Sequence, residues 1–157
     1  MDINAHNKGF TLLELIIVFA IIGIIASISF DYLAQKRNRG TDAAIQSNIT
    51  NARSQAELFY LNQDKSFEGV CGTVTLDTIG RFAQAAQNAH GGPLSAFDDS
   101  TASAWNSGQC HDTVTSYVVW VPLRISTPAN PRGWCTDNRD SGHLSTSVLP
   151  ANAYLCP

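Results

Sequence analysis

The sequence predicts an α+β fold: one long N-terminal helix, with a membrane half and an amphipathic half, packed on a small antiparallel-sheet head held by disulfides. Three observations predict it. Almost every side chain from Phe10 to Phe30 is apolar, with Glu14 as the only charge. An apolar stripe of helical period continues through the polar residues that follow. All four cysteines, Cys71, Cys110, Cys135 and Cys156, fall in the C-terminal part, which also carries the strand signals.

Residues 1–9 are short and polar, with Lys8 just ahead of the apolar run. Residues 10–30 are long enough to cross a bilayer, since ~20 residues at ~1.5 Å each cover ~30 Å. Gly23 interrupts this run mildly, and Asp31 ends it. From 31 to 61 the helix continues as an amphipathic one. Ile45, Ile49, Ala52, Ala56 and Phe59 recur at spacings of four and three and make one apolar stripe. Asp42, Gln46, Asn48, Asn51, Arg53 and Gln55 occupy the other faces. Gly40 is the weakest point, because glycine costs ~1 kcal/mol against alanine inside a helix. Asn62 to Ser66 reads as the exit. The stripe has the few apolar positions of a helix packing on one domain, rather than the sustained heptads of a coiled-coil seam.

The head is predicted over 62–157. Asp77 can cap a short helix in which Ile79, Phe82, Ala83 and Ala86 share a face, stopped by His90-Gly91-Gly92-Pro93. A long polar loop leads to Cys110. Tyr117-Val118-Val119-Trp120-Val121 is the strongest strand signal, and Pro122 implies that it ends there or lies at an edge. A turn rich in Pro, Asn and Gly precedes a second strand around Trp134, with a short third strand near Leu144. Widely spaced cysteines in even number suit disulfides formed in an oxidising compartment. Of the three pairings that four cysteines allow, Cys71–Cys110 with Cys135–Cys156 is preferred. The first would pin the short helix and polar loop to the head, and the second would tether a tail of low apolar content. Cys110–Cys135 is the main competitor, because the two could flank adjacent strands.

Several function classes find no support. A net charge of −3 gives no electrostatic ground for nucleic-acid binding. No Gly-x-Ser-x-Gly, His-Glu-x-x-His or phosphate loop is present, and no carboxylate or nucleophile stands at motif spacing from His90 or His143, so an enzyme is not expected. No cofactor is expected either. Cys110-His111 is a poor metal motif without Cys-x-x-Cys spacing. Asp137-Asn138-Arg139-Asp140-Ser141-Gly142 superficially suggests a calcium loop, but Arg139 stands where an oxygen ligand is needed, so an ordinary turn is the better reading. Trp105, Trp120 and Trp134 are read as core residues rather than a binding patch.

Lys8-Gly9-Phe10-Thr11-Leu12-Leu13-Glu14, followed by an apolar helix, closely resembles the signature of type IV pilins and pseudopilins. The head's Gly69-Val70-Cys71 and Trp134-Cys135-Thr136-Asp137 are similar to bacterial pilin heads. The resemblance implies a lollipop-shaped filament subunit. It implies that prepilin peptidase cuts between Gly9 and Phe10 and that the new Phe10 amine is methylated. It implies that Glu14 meets the Phe10 amine of a neighbouring subunit and sets the register of assembly. The partners it implies are further copies of the chain, the peptidase, a pilus assembly platform and the inner membrane before assembly. The implied location is a single-pass membrane protein with its head outside, and then an extracellular filament.

The order of parts agrees with this. An ordinary secretory signal loses its apolar core on cleavage, whereas here the cut precedes the core. A carboxylate at membrane depth costs ~2.5–3.5 kcal/mol on insertion scales and is usually functional. Glu14 paired only within its own helix is the plainer alternative. Two features depart from the resemblance. Asp31 stands about where pilins often have proline, and Lys36, Arg37 and Arg39 follow the apolar run on the side that positive-inside counting would keep in the cytoplasm. Phospholipid headgroups are the natural partners of that basic cluster. The rival readings are a pseudopilin of a secretion or DNA-uptake machine, a minor adhesive pilin, and a secreted binding domain cut before Phe30. Glu14 within the apolar core argues against the last.

Overall fold

The structure, a computed structural model, describes residues 10–72, 77–91, 102–139 and 142–157, with the backbone alone described at 28–31, 34 and 35. The leader with Gly9, the Gly92-Pro93 part of the helix stop, and Asp140-Ser141 of the acidic turn lie outside the described residues. The chain divides into two compact units, Met1–Arg37 and Asn38–Pro157. Helix α1, Leu12–Asn62, contributes to both. It passes Gly40 without a break.

The second unit is α+β. Among the described residues it holds the C-terminal part of α1, helix α2 (Gly80–His90) and four strands: β1 (Gln109–Asp112), β2 (Tyr117–Pro122), β3 (Gly133–Asp137) and β4 (His143–Ser145). The strands form one antiparallel sheet in the order β1-β2-β3-β4. The stripe on α1 is the face that packs in the head. Ile45, Ile49, Ala52 and Ala56 are fully buried, and Phe59 nearly so. After Asn62 the chain turns through Asp64 and Lys65, both in the left-handed region (φ 48° and 63°). The Lys65 N–H closes on the Tyr60 carbonyl.

Two expectations are corrected and one is resolved. Asp77 does not cap α2. Ile79 holds the N-cap position with no side-chain cap, and Asp77 lies two residues earlier, out of reach of the first-turn N–H groups. The stop at Gly91 is built as a left-handed cap (φ 81°), its N–H bonded to the Gln87 carbonyl. β2 ends at Pro122, as expected, and is central, between β1 and β3, rather than at an edge. Pro122 fits because it lies beyond Trp120, where β1 pairing ends, so its missing N–H leaves no ladder bond unmade. The residues before Cys110 are not all loop: Gln109 opens a strand.

Because alternate residues of a strand face opposite sides, β2 divides the core in two. Tyr117, Val119 and Val121 join the α1 stripe and Ile79, Ala83 and Ala86 of the α2 region. Val118 and Trp120 face the other way, against Cys135 and Leu149, with the tail residues Val148, Ala153 and Cys156 packed on them. Each face has its own disulfide. Cys110 pairs across the ladder with Val119 and bonds to Cys71, Cα–Cα 5.7 Å. Cys135 pairs with Trp120 and bonds to Cys156, Cα–Cα 5.8 Å. Ladder partners share a face, so Cys110 and Cys135 lie on opposite sides of the sheet, two strands apart, and cannot meet.

Each disulfide is doubled by an aspartate two residues further along its strand. Asp112 accepts hydrogen bonds from the N–H groups of Cys71 (2.7 Å) and Gly69 (3.1 Å). Asp137 accepts from the N–H groups of Cys156 (2.9 Å) and Arg139 (2.7 Å). Both aspartates point to the same face as the cysteine before them, which brings the carboxylate beside the incoming chain. Such charge-assisted bonds contribute ~1.5–3 kcal/mol each. A Cys-x-Asp unit thus fastens an irregular segment to each side of the sheet. At Gly133 a side chain is excluded, because a Cβ there would collide with the Trp120 indole.

Candidate functional site

The first unit exposes what the second buries. Among the described residues, about a dozen large apolar side chains between Phe10 and Ile25 face solvent, with Phe10 80% exposed. Placing such side chains in an apolar environment is worth ~1.5–3 kcal/mol apiece, so a continuous apolar surface of this extent marks an interaction surface. Among the described residues no helix is long and apolar enough to cross a membrane. The apolar side chains described in the first part of α1 run from Leu12 to Ala26, short of the ~20 residues that a bilayer crossing takes.

Glu14 is the acidic residue in the first turn of α1, and its partner is local. The Glu14 N–H donates to the Thr11 hydroxyl oxygen (3.2 Å). The Thr11 N–H (3.0 Å) and the Thr11 hydroxyl (2.8 Å) both donate to Glu14 Oε2. This is a reciprocal capping box, which satisfies two of the N–H groups left open at a helix start. Sequence reasoning misses Thr11, although Thr-x-x-Glu ahead of an apolar run is its signal. In the single chain, Glu14 is therefore satisfied within its own helix. The single-chain structure brings Glu14 to Thr11 and gathers the four cysteines in the head; Gly9 lies outside the described residues.

Past the apolar run, Tyr32 is exposed and the Lys36 Nζ lies 5.0 Å from its ring centroid, a cation–π contact one helical turn apart. Arg37 beside it is exposed.

In the head, a cleft of about 490 Å³ is lined by Thr115, Ser116, Asn138, Arg139, Ala153, Tyr154 and Leu155. It gathers no nucleophile–base pair. Among the described residues no three His, Cys, Asp or Glu side chains converge as metal ligands. His111 is fully buried, with Nδ1 2.7 Å from the Ala153 carbonyl oxygen, which ties the tail to β1. His90 is nearly buried at the end of α2, and burial first, then the Arg124 guanidinium, holds its imidazole below the usual histidine value. The tryptophans do not form one patch. Trp120 is buried on the tail side of the sheet, Trp134 packs on the helix side, and Trp105 is 38% exposed.

A helix start with an exposed carboxylate, an apolar helix surface and a disulfide-bonded α+β head together define a protein that meets other molecules through its N-terminal helix. Residues 4–30 match the prokaryotic N-terminal methylation motif. The chain is 34% identical over 62 residues, 40% of its length, to the type IV major pilin protein PilA of Myxococcus xanthus, of which this covers 28%. It is 34% identical over 59 residues, 38% of its length, to the type IV wide pilus major component PilA4 of Thermus thermophilus, of which this covers 45%. The chain thus spans less than half the length of these relatives. No solved structure matches it significantly. Over its N-terminal part the chain is thus similar to type IV pilins.

Proposed function

We propose that the chain is a structural subunit of a type IV pilus filament, without catalytic activity. Prepilin peptidase removes residues 1–9 by cutting between Gly9 and Phe10, and the Phe10 amine is methylated. Residues 10–30 hold the subunit in the inner membrane as a single span with the head outside, until a pilus assembly platform passes it into the filament. There the apolar helices bundle as the core, so their surface stays out of water at every stage.

The observation that carries this reading is the apolar surface from Phe10 to Ile25, interrupted by one carboxylate at the first turn. Cleavage would turn the Phe10 amide into a cation just ahead of the helix start. In the filament core Glu14 then pairs with the Phe10 amine of a neighbour. Pairing offsets the cost of burying two charges and fixes the axial stagger between subunits. The capping box supports this order of events, because it holds the Glu14 carboxylate at the helix start before a partner arrives. Both relatives are named as major pilus components, which favours a pilus subunit over a pseudopilin or a minor adhesive pilin.

The test is Gly9→Leu, examined by electron microscopy of cells and by immunoblot of membranes. A bulky side chain at the cut site should leave full-length protein in the membrane and no filaments. Normal filament yield from this variant would sink the prepilin reading.

A further inference from the structure

We propose that Tyr32, Lys36 and Arg37 form a docking collar for the phosphate of anionic phospholipids on the side of the membrane where the head lies. This rests on reading residues 10–30 as a membrane span, and it names the lipid chemistry that the membrane-held subunit takes. Tyr32 is 60% exposed, and the Lys36 ammonium sits over its ring. Arg37 is exposed alongside. Among the described side chains neither cation has an anionic partner, and both residues are exposed.

Lys36 follows Phe30 by ~9 Å of helix at ~1.5 Å per residue, which brings it to the outer edge of a headgroup layer ~5–8 Å deep. Tyrosine belongs in that layer, its ring in the interface and its hydroxyl in water. A lysine stem lying along the ring brings the ammonium to the phosphate level. The two cations stand on the side that positive-inside counting disfavours, and attraction to an anionic leaflet supplies a physical reason for them. Charge complementarity and direct continuity with the apolar segment favour lipid phosphate over the carboxylates of a second copy.

The full-length chain, purified in neutral detergent, is mixed with phosphatidylglycerol or phosphatidylcholine of identical acyl chains and examined by native mass spectrometry. The wild type should retain phosphatidylglycerol roughly thirtyfold over phosphatidylcholine, the scale expected for two cations near an anionic surface. K36Q/R37Q should bring that ratio close to one, and Y32L should lower it about twofold, since the ring only positions the ammonium. Equal retention of both lipids by the wild type would overturn the collar. So would an unchanged lipid ratio in K36Q/R37Q, and loss of filaments in that variant at an unchanged ratio would assign the cations to a second copy. Alkaline carbonate extraction separates the underlying reading: a chain that leaves the membrane fraction has no span, and the collar falls with it.

Discussion

The two halves of α1 use the same periodicity of chain to opposite ends. Between Ile45 and Phe59 one narrow stripe of isoleucine, alanine and phenylalanine is buried, and the remaining faces are polar. Between Leu12 and Ile25 every residue but Glu14 is apolar, and the large side chains are exposed. Small residues suit the head half, where Ala52 and Ala56 are fully buried in the core. The N-terminal half is built from large residues on all sides, which no single neighbouring domain could cover. A helix apolar all round belongs in a membrane or a bundle. The difference teaches that the head half completes the chain's own core, while the N-terminal half carries an apolar surface that its own unit leaves exposed.

The sharpest way to break that comparison is at Glu14. Glu14→Leu makes the N-terminal half uniformly apolar, so the chain should enter membranes at least as well as before. Assembly should fall by at least about tenfold, because a neighbour's buried Phe10 amine is left unpaired at a cost of ~3–5 kcal/mol. Pelleted filament mass per cell measures this. Wild-type yield would remove the pairing from the account.

A paired substitution comes next. Ile49→Ala in the head half should lower the unfolding free energy of the full chain in detergent by ~2–5 kcal/mol, as buried Ile-to-Ala changes do. Ile17→Ala in the other half should move it by less than ~0.5 kcal/mol, since exposed positions contribute little. Denaturant unfolding followed by tryptophan emission reads both, because Trp120 is fully buried in the head. Equal effects would mean that the two halves are not energetically separate.

The smallest effect expected is a pH slope confined to the head. Burial of His90, then the neighbouring Arg124 guanidinium, depresses its folded value, while Asp42 acts in the opposite sense. The unfolded chain therefore binds the proton more readily than the folded one. The His90 contribution is fully present above the unfolded value, near 6.5, and is lost as pH falls below it. Melting temperature measured from about pH 8 to about pH 5 should decline gently, and His90→Gln should flatten the decline. A slope unchanged in His90→Gln would place its origin elsewhere.

Much of this architecture is legible in the residues themselves. The stripe on α1 and the strands around Val119, Trp134 and Leu144 follow from periodicity and β-branched or aromatic composition. β1 is hidden because Gln109-Cys110-His111-Asp112 has no apolar alternation. Its polar side chains are buried by position in the sheet, and His111 meets the Ala153 carbonyl, 42 residues away. Gln87 is hidden likewise. It is fully buried, accepting from the Gly108 N–H (3.0 Å) and donating to the Asn106 carbonyl (3.2 Å). Partners so distant in sequence leave no local pattern. The aspartates beside the cysteines do leave one, because Cys-x-Asp occurs at both strand cysteines, yet its meaning depends on the register. Thr11 is readable from its spacing to Glu14.

The central claim is that the mature chain begins at Phe10 and so keeps the apolar helix, and the mature N-terminus tests it most directly. Intact-mass and peptide mass spectrometry of protein recovered from membranes and from sheared filaments should find chains starting at Phe10 and carrying one N-terminal methyl group. A mature chain starting at Phe30, or filaments made of chains that keep Met1 to Gly9, would contradict the account.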